Sequence, residues 1–173
     1  MAARLTLVIG GARSGKSRYA ESLIKALPPP WIYAATGQGL DAEMAARIEA
    51  HRARRGAGWR TVEVPLDLAT VMTAQGTAPV LVDCLTLWLS NLMMADAQIE
   101  QELDRFAQAL AKVAAPVVLV ANEVGSGIVP DNALARRFRD LQGSLNQRIA
   151  ALADQVVLVV AGLPLFLKGP PTG

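Results

Sequence analysis

Among its 173 residues the chain has one cysteine, Cys84, and one histidine, His51. A lone cysteine cannot close an internal disulfide, and the two residues are too few for a Cys/His zinc site, so neither a disulfide scaffold nor a structural zinc module is expected. Charge is sparse as well: 18% of residues are charged and 52% are apolar, where about a quarter charged is usual. That balance argues against disorder and for elements buried on more than one side. Long hydrophobic runs are also missing. The longest, Val156 to Leu167, has 12 residues and is broken by Gly162 and Pro164, whereas a membrane-crossing helix needs about 20. The apolar start, Leu5 to Ile9, runs directly into Gly10, Gly11 and Arg13, which is too short and wrongly flanked for a secretory signal. No membrane span is expected, and a cytoplasmic location follows. The length suits a single domain over residues 1–173 with one substantial core.

What charge there is lies unevenly. The net charge is only +2, yet 13 of the 17 basic residues are arginine, and five of those fall between Arg47 and Arg60 with Glu49 as the sole acid among them. Such an excess is either a solvated basic face or the mark of an anionic partner. Nucleic acid is not expected, because no aromatic-rich strand motif or zinc-finger spacing accompanies the arginines.

Apolar runs and breakers alternate in a βαβ rhythm. Strands are expected at Leu5 to Ile9, Trp31 to Ala35, Arg60 to Val64, Val80 to Asp83, Val117 to Ala121 and Val156 to Val160. Helices are expected at Ser17 to Leu27, stopped by Pro28, Pro29 and Pro30, at Asp41 to Arg55 with Asp41 as N-cap, and at Leu66 to Ala74. Further helices follow at Thr86 to Met94, Ile99 to Ala114 and Asn132 to Ala153, the last with Leu134, Phe138, Leu141, Leu145 and Ile149 on one stripe. Strands alternating with helices imply an α/β fold, a mostly parallel sheet with right-handed crossovers. Lys168 to Gly173 reads as a loose tail.

Gly10-Gly11-Ala12-Arg13-Ser14-Gly15-Lys16-Ser17 satisfies G-x-x-x-x-G-K-[ST] after an expected strand and at the opening of an expected helix. Glycines let the backbone wrap a phosphate with its N–H groups inward, and the helix N-terminus adds partial positive charge. Lys16 would neutralise β- and γ-phosphate charge, and Ser17 would offer its hydroxyl to Mg²⁺. A carboxylate at the end of a neighbouring strand completes such a site. Asp83 is in that position, either as metal ligand or as N-cap of the helix near Thr86. Cys84 beside it reads as a buried, inert thiol. The Asn-Lys-x-Asp signature of guanine recognition is absent; Asn122-Glu123-Val124-Gly125 stands at a strand end without its lysine and aspartate.

His51 shares a helical face with Met44, Ile48 and Arg55 and has Arg47 and Arg54 close by. A single histidine on an amphipathic helix is ordinarily structural or merely exposed. Chemically, though, neutral imidazole is a competent nucleophile near pH 7, and surrounding arginines can hold a triphosphate and stabilise charge at an attacked phosphorus. Glu63, ending the following strand, is either a surface residue or an acceptor for a base or ribose hydroxyl.

Several segments together resemble one family. Gly10 to Ser17, Ala34-Ala35-Thr36-Gly37, Asp41 to Ile48 with His51 beyond, Trp59 to Glu63, Asp83-Cys84-Leu85-Thr86, Asn122 to Pro130, Arg137-Phe138-Arg139-Asp140 and Asn146-Gln147 resemble the bifunctional adenosylcobinamide kinase and adenosylcobinamide-phosphate guanylyltransferase of cobalamin biosynthesis. The resemblance spans residue 4 to about 168. It implies a P-loop NTPase, recombinase-like in fold, with helices on both faces of the sheet. It also implies a two-step transferase: a nucleoside triphosphate, ATP or GTP, phosphorylates adenosylcobinamide, and GTP then gives its GMP moiety to that phosphate with release of pyrophosphate. A GMP-histidine intermediate is implied at His51. The nucleotide contacts implied are Gly10, Gly11, Ala12, Arg13, Ser14, Gly15, Lys16 and Ser17, then Ala35, Thr36 and Gly37, then Arg52, Ala53, Arg54, Arg55, Glu63 and Asp83. The metal ligands expected are Ser17 and Asp83. A homotrimer is implied too, to which Leu85, Trp88, Leu89 and Leu92 contribute an interface unless they are ordinary core. A simple kinase without nucleotidyl transfer and a non-catalytic nucleotide switch are the competing classes.

Overall fold

The computed structural model describes residues 3–39, 42, 46, 49 and 55–170. The expected helix from Asp41 to Arg55 therefore falls, but for its last residue and three isolated positions, outside the described residues. The strands are β1 (Leu5–Gly10), β2 (Trp31–Ala35), β3 (Trp59–Glu63), β4 (Val80–Asp83), β5 (Val117–Asn122), β6 (Gln155–Val160) and β7 (Leu163–Lys168). The described helices are α1 (Lys16–Lys25), α2 (Leu68–Ala74), α3 (Leu85–Met94), α4 (Ile99–Lys112) and α5 (Ala133–Leu152).

The seven strands form one sheet in the order β3-β2-β4-β5-β1-β6-β7. All neighbours pair in parallel except β6 with β7. Continuous apolar strands fit this arrangement because both faces are covered. Alternation with period two sorts them: Leu5 and Leu7 of β1 and Val117, Leu119 and Ala121 of β5 join one core, beneath α2 to α5. Val8, Val118 and Val120 join the other, with Ala20 and Ile24 of α1. Helices thus lie on both faces, and β1 and β5 run down the middle with their carboxyl ends between the layers.

Of the two readings of Leu85, Trp88, Leu89 and Leu92, ordinary core is the one the structure has: all four are buried in the larger core. Trp88 packs against Phe106 with ring centroids 5.1 Å apart, and its Nε1 donates to the Leu66 carbonyl at 2.6 Å. Helical periodicity looks the same whether a stripe covers its own sheet or a second subunit, and here the sheet takes it. One correction concerns the C-terminus. Leu163–Lys168 is a further strand, and Lys168, expected to open a loose tail, is its last residue. Pro164 lowers the strand signal, yet an edge strand tolerates a missing N–H. Lys168 Nζ donates to the Ala150 and Ala151 carbonyls, and Gln155 Nε2 donates to the Pro170 carbonyl, which secures the chain as far as residue 170.

α5 is also shorter in its packing than its pattern suggests. Asn132 caps it by accepting from Ala135 N at 2.8 Å. Leu145 and Ile149 are buried and Phe138 and Leu141 pack against the core, but Leu134 stands out in solvent. Among the described residues, no helix is long and apolar enough to cross a membrane.

Trp88→Ala should remove a ring that fills the centre of the larger core and a hydrogen bond that holds the loop before α2. Equilibrium urea unfolding should show a loss of about 3–5 kcal/mol, the usual cost of deleting a buried aromatic ring. A loss under about 1 kcal/mol would mean that the ring is not the packing element described.

Candidate active site

Strand register gathers the candidate residues along the carboxyl edge of the sheet. Gly10, the last residue of β1, pairs with Asn122 of β5. Ala35, the last residue of β2, pairs with Glu63 on one side and Asp83 on the other. Parallel strands all end at the same edge, so phosphate loop, carboxylates and connecting loops meet there.

The loop itself is held by backbone. Glu123 N donates to Gly10 O at 3.1 Å and Gly162 N donates to Ser14 O at 2.8 Å. Gly15 has φ 94°, a left-handed conformation that suits glycine, and a Cβ there would lie 3.1 Å from Gly162 Cα. Gly10 has no room either: a Cβ would meet Ser14 Oγ and the Val159 carbonyl oxygen, each at 2.6 Å. Arg13 also turns through positive φ, at 55°. The chain then enters α1 at Lys16, so the first N–H groups of that helix have no intrahelical acceptor. Lys16 Nζ reaches back across the loop to the Gly11 carbonyl at 3.0 Å. Ser14 Oγ is buried in the cradle with no hydrogen-bond partner among the described residues. Oriented amides, a lysine and a helix N-terminus together form a polyphosphate cradle.

Asp83 closes one side. It is not the N-cap of α3, a position taken by Cys84. Instead Asp83 Oδ2 accepts from the Tyr33 hydroxyl at 2.9 Å. Burial, then the Asp83 charge, push the Tyr33 hydroxyl well above its ordinary range, so it stays a donor to the carboxylate. The Tyr33 ring in turn lies 3.6 Å beneath the Arg55 guanidinium and edge-on to Trp59. Arg55 Nε and Nη1 are buried there without a hydrogen-bond partner among the described residues. Burial, then Asp83, raise the Cys84 thiol to about 11, which agrees with an inert thiol.

Thr36 is fully buried and its hydroxyl is engaged: Oγ1 donates to the Cys84 carbonyl at 2.7 Å and accepts from Cys84 N at 2.8 Å. Asn91 Nδ2 donates to the Thr36 carbonyl at 2.8 Å. Thr36 thus bolts β2 to the end of β4, and any contact it makes with a nucleotide comes from its backbone. Ala35 and Gly37 flank it at the same edge, and Glu63 is exposed at the end of β3. His51, Arg52, Ala53 and Arg54 lie outside the described residues.

The donors suit a magnesium ion. Ser17 and Asp83 supply hard oxygens, and no group of three or more His, Cys, Asp or Glu residues is arranged around a metal position among the described residues. Magnesium is commonly held by one or two protein oxygens, with water and substrate phosphates completing its octahedron.

The family model for cobinamide kinase / cobinamide phosphate guanyltransferase (CobU) matches residues 6–167. The chain belongs to this family. It is 46% identical to the bifunctional adenosylcobalamin biosynthesis protein CobP of Pseudomonas aeruginosa, over 95% of this chain and 98% of that protein. It is also 46% identical to the bifunctional adenosylcobalamin biosynthesis protein CobU of Salmonella typhimurium, over 95% of this chain and 99% of that protein. Among solved structures, an ATPase from the type III secretion system of pathogenic bacteria superposes with a TM-score of 0.55 at 11% identity, covering 94% of this chain and 56% of that one. That likeness concerns the fold alone, a P-loop sheet with flanking helices.

In this cobinamide kinase / guanyltransferase family member, three supporting residues escape a reading of the sequence. Tyr33 orients Asp83 across two strands, Gly162 braces the phosphate loop from a distant hairpin, and Thr86 Oγ1 accepts from Asn122 N at 2.8 Å. Only Gly162 carries a local signal, a glycine between two apolar runs, which Pro164 obscures.

Gly10→Ala should strain the loop, since the Val159 carbonyl belongs to the sheet backbone and cannot rotate away. Overpacking of this kind costs ~1–3 kcal/mol. Titration calorimetry with Mg-GTP should show affinity reduced by about tenfold or more in a variant with wild-type circular dichroism. Wild-type affinity would contradict the cradle geometry.

Proposed function

We propose that the chain phosphorylates adenosylcobinamide with a nucleoside triphosphate and then transfers GMP from GTP to that phosphate, giving adenosylcobinamide-GDP and pyrophosphate. One observation carries this beyond family membership: a braced phosphate cradle ends at Lys16 and Ser17, within a sheet edge that also presents Asp83 and Glu63. In the first step the acceptor hydroxyl attacks the γ-phosphorus, its proton passes to water, the bond to the bridging oxygen breaks, and nucleoside diphosphate leaves. Lys16 and the loop amides hold the charge that gathers on the departing oxygens. Mg²⁺, held by Ser17 and Asp83 through oxygen, would supply further neutralisation of phosphate charge when bound. Tyr33 keeps the Asp83 carboxylate in place by its hydrogen bond.

In the second step the proposed nucleophile is His51. An imidazole nitrogen attacks the α-phosphorus of GTP, the bond to the β-phosphate oxygen breaks, and pyrophosphate leaves from the cradle. A phosphate oxygen of the phosphorylated corrinoid then attacks the same phosphorus, the P–N bond breaks, and the imidazole is restored. Arginines near His51 in sequence offset charge at the attacked phosphorus, and Arg55, with two buried nitrogens that have no hydrogen-bond partner among the described residues, is the described member of that group. Glu63 accepts from the base or ribose hydroxyl. The enzyme acts in the cytoplasm as a homotrimer and binds no nucleic acid. The outward stripe of Leu163, Leu165 and Leu167 on edge strand β7, with Val160 beside it, supports self-association in place of the buried α3 residues.

Incubation with adenosylcobinamide, Mg²⁺ and GTP should yield adenosylcobinamide-GDP by mass. GTP labelled at the α-phosphate should leave acid-labile, alkali-stable label on the protein, absent from His51→Ala; kinase product without label would reduce the activity to phosphorylation alone. Lys16→Ala should lower both activities by about two orders of magnitude or more, the scale of losing a charge-stabilising group. Undiminished kinase turnover would mean that the loop is misassigned.

A further inference from the structure

Three large apolar side chains stand in water on the segment that joins β5 to α5 and on the first turn of α5. Ile128 is 97% exposed, Val129 63% and Leu134 67%. The chain's own packing does not use them, because the segment takes its shape from polar contacts. Glu123 Oε1 accepts from Gly125 N at 2.6 Å and from Ser126 Oγ at 3.4 Å. Arg136 Nη1 donates to the Pro130 and Asp131 carbonyls, both at 2.9 Å. Asn132 caps α5. Hydrogen bonds therefore define both ends of the connector, and its apolar side chains face outward. Exposed apolar residues grouped in this way mark a surface that is covered by something else.

The location says by what. The connector leaves the sheet beside the phosphate loop: Asn122 pairs with Gly10, and Glu123 N donates to Gly10 O at 3.1 Å. An acceptor that takes a phosphoryl group from the cradle must bring its hydroxyl to this edge, and the bulk of a large acceptor then rests on whatever borders the cradle. On the opposite flank the β6–β7 turn is packed against the loop through Gly162. The apolar residues beyond that turn, Leu163, Leu165 and Leu167, run along a strand away from the cradle, an extent suited to a protein edge and not to one ligand.

We propose that Ile128, Val129 and Leu134 form the docking surface for the corrinoid acceptor. The proposal rests on the functional reading above and names the part of the site that receives the macrocycle. A corrinoid is broad, with methyl groups and neutral amides around its rim, so it is recognised by apolar contact and amide hydrogen bonds more than by charge. The connector and the start of α5 have matching chemistry: three apolar side chains, with the Ser126 hydroxyl and the exposed backbone of Gly127 next to Ile128.

The test uses the full-length enzyme and two variants, Ile128→Ser/Val129→Ser and Ile128→Leu. Steady-state kinase assays give KM separately for adenosylcobinamide and for the nucleotide, and ultrafiltration of adenosylcobinamide, followed by its visible absorbance, measures binding directly. In the double serine variant, KM and the dissociation constant for adenosylcobinamide should both rise about tenfold or more, with KM for the nucleotide within about twofold of wild type. Ile128→Leu should stay close to wild type, since it keeps the apolar surface. An unchanged dissociation constant for adenosylcobinamide in the double variant would overturn the proposal, as would a change in subunit assembly by sedimentation with corrinoid binding intact. If the wild-type enzyme neither binds nor phosphorylates adenosylcobinamide, the functional reading fails and takes this surface with it. Wild-type activity with indifferent variants removes the surface alone.

Discussion

Two backbone hydrogen bonds hold the phosphate loop open. Glu123 N fixes the start of the loop through Gly10 O, and Gly162 N fixes its middle through Ser14 O. A loop meant to surround phosphate must keep its N–H groups pointed inward when nothing compels them to do so. Here the constraint comes from neighbouring strands, and the two glycines where a side chain would collide, Gly10 and Gly15, let those strands approach. Most other features of the site serve this arrangement. β5 brings Glu123 alongside Gly10, the β6–β7 hairpin places Gly162, and α1 continues the loop with N-terminal amides that have no intrahelical acceptor.

The carboxylate side is held by a different means. Asp83 sits at the end of β4, and the Tyr33 hydroxyl one strand away restrains it. Arg55 stacks on the same tyrosine, which places one residue of the arginine-rich stretch against the support of the carboxylate. Thr36 and Asn91 then tie the end of β2 to the end of β4 and to α3 through buried hydrogen bonds. Polar groups buried at the edge of a sheet are costly unless satisfied, and this network satisfies them while fixing the spacing between strands.

Much of this was legible in the chain because it is local. The spacing of Gly10, Gly15, Lys16 and Ser17 after an apolar strand announces the loop, and Val80 to Asp83 announces a strand ending in a carboxylate. Period-two sorting of β1 and β5 could not be seen, since strands buried on both faces are apolar throughout. β7 was hidden by Pro164, and the fate of the α3 stripe was undecidable because core and interface stripes share one period. Leu134 fits the helical pattern of α5 and yet is exposed, at the second residue of the helix. Tyr33 and Gly162 act on residues 50 and 148 positions away, respectively, and no local pattern carries such contacts.

The proposed consequence is a division of labour along one sheet edge: a braced cradle for polyphosphate, a carboxylate beside it held by Tyr33, and an apolar surface facing the acceptor. A crystal structure with Mg²⁺ and a non-hydrolysable GTP analogue tests the central claim most directly. The account predicts the β-phosphate within hydrogen-bond distance of the loop N–H groups, with the Glu123–Gly10 and Gly162–Ser14 hydrogen bonds unchanged. Polyphosphate bound elsewhere, or a loop that must break either bond to receive it, would contradict the account.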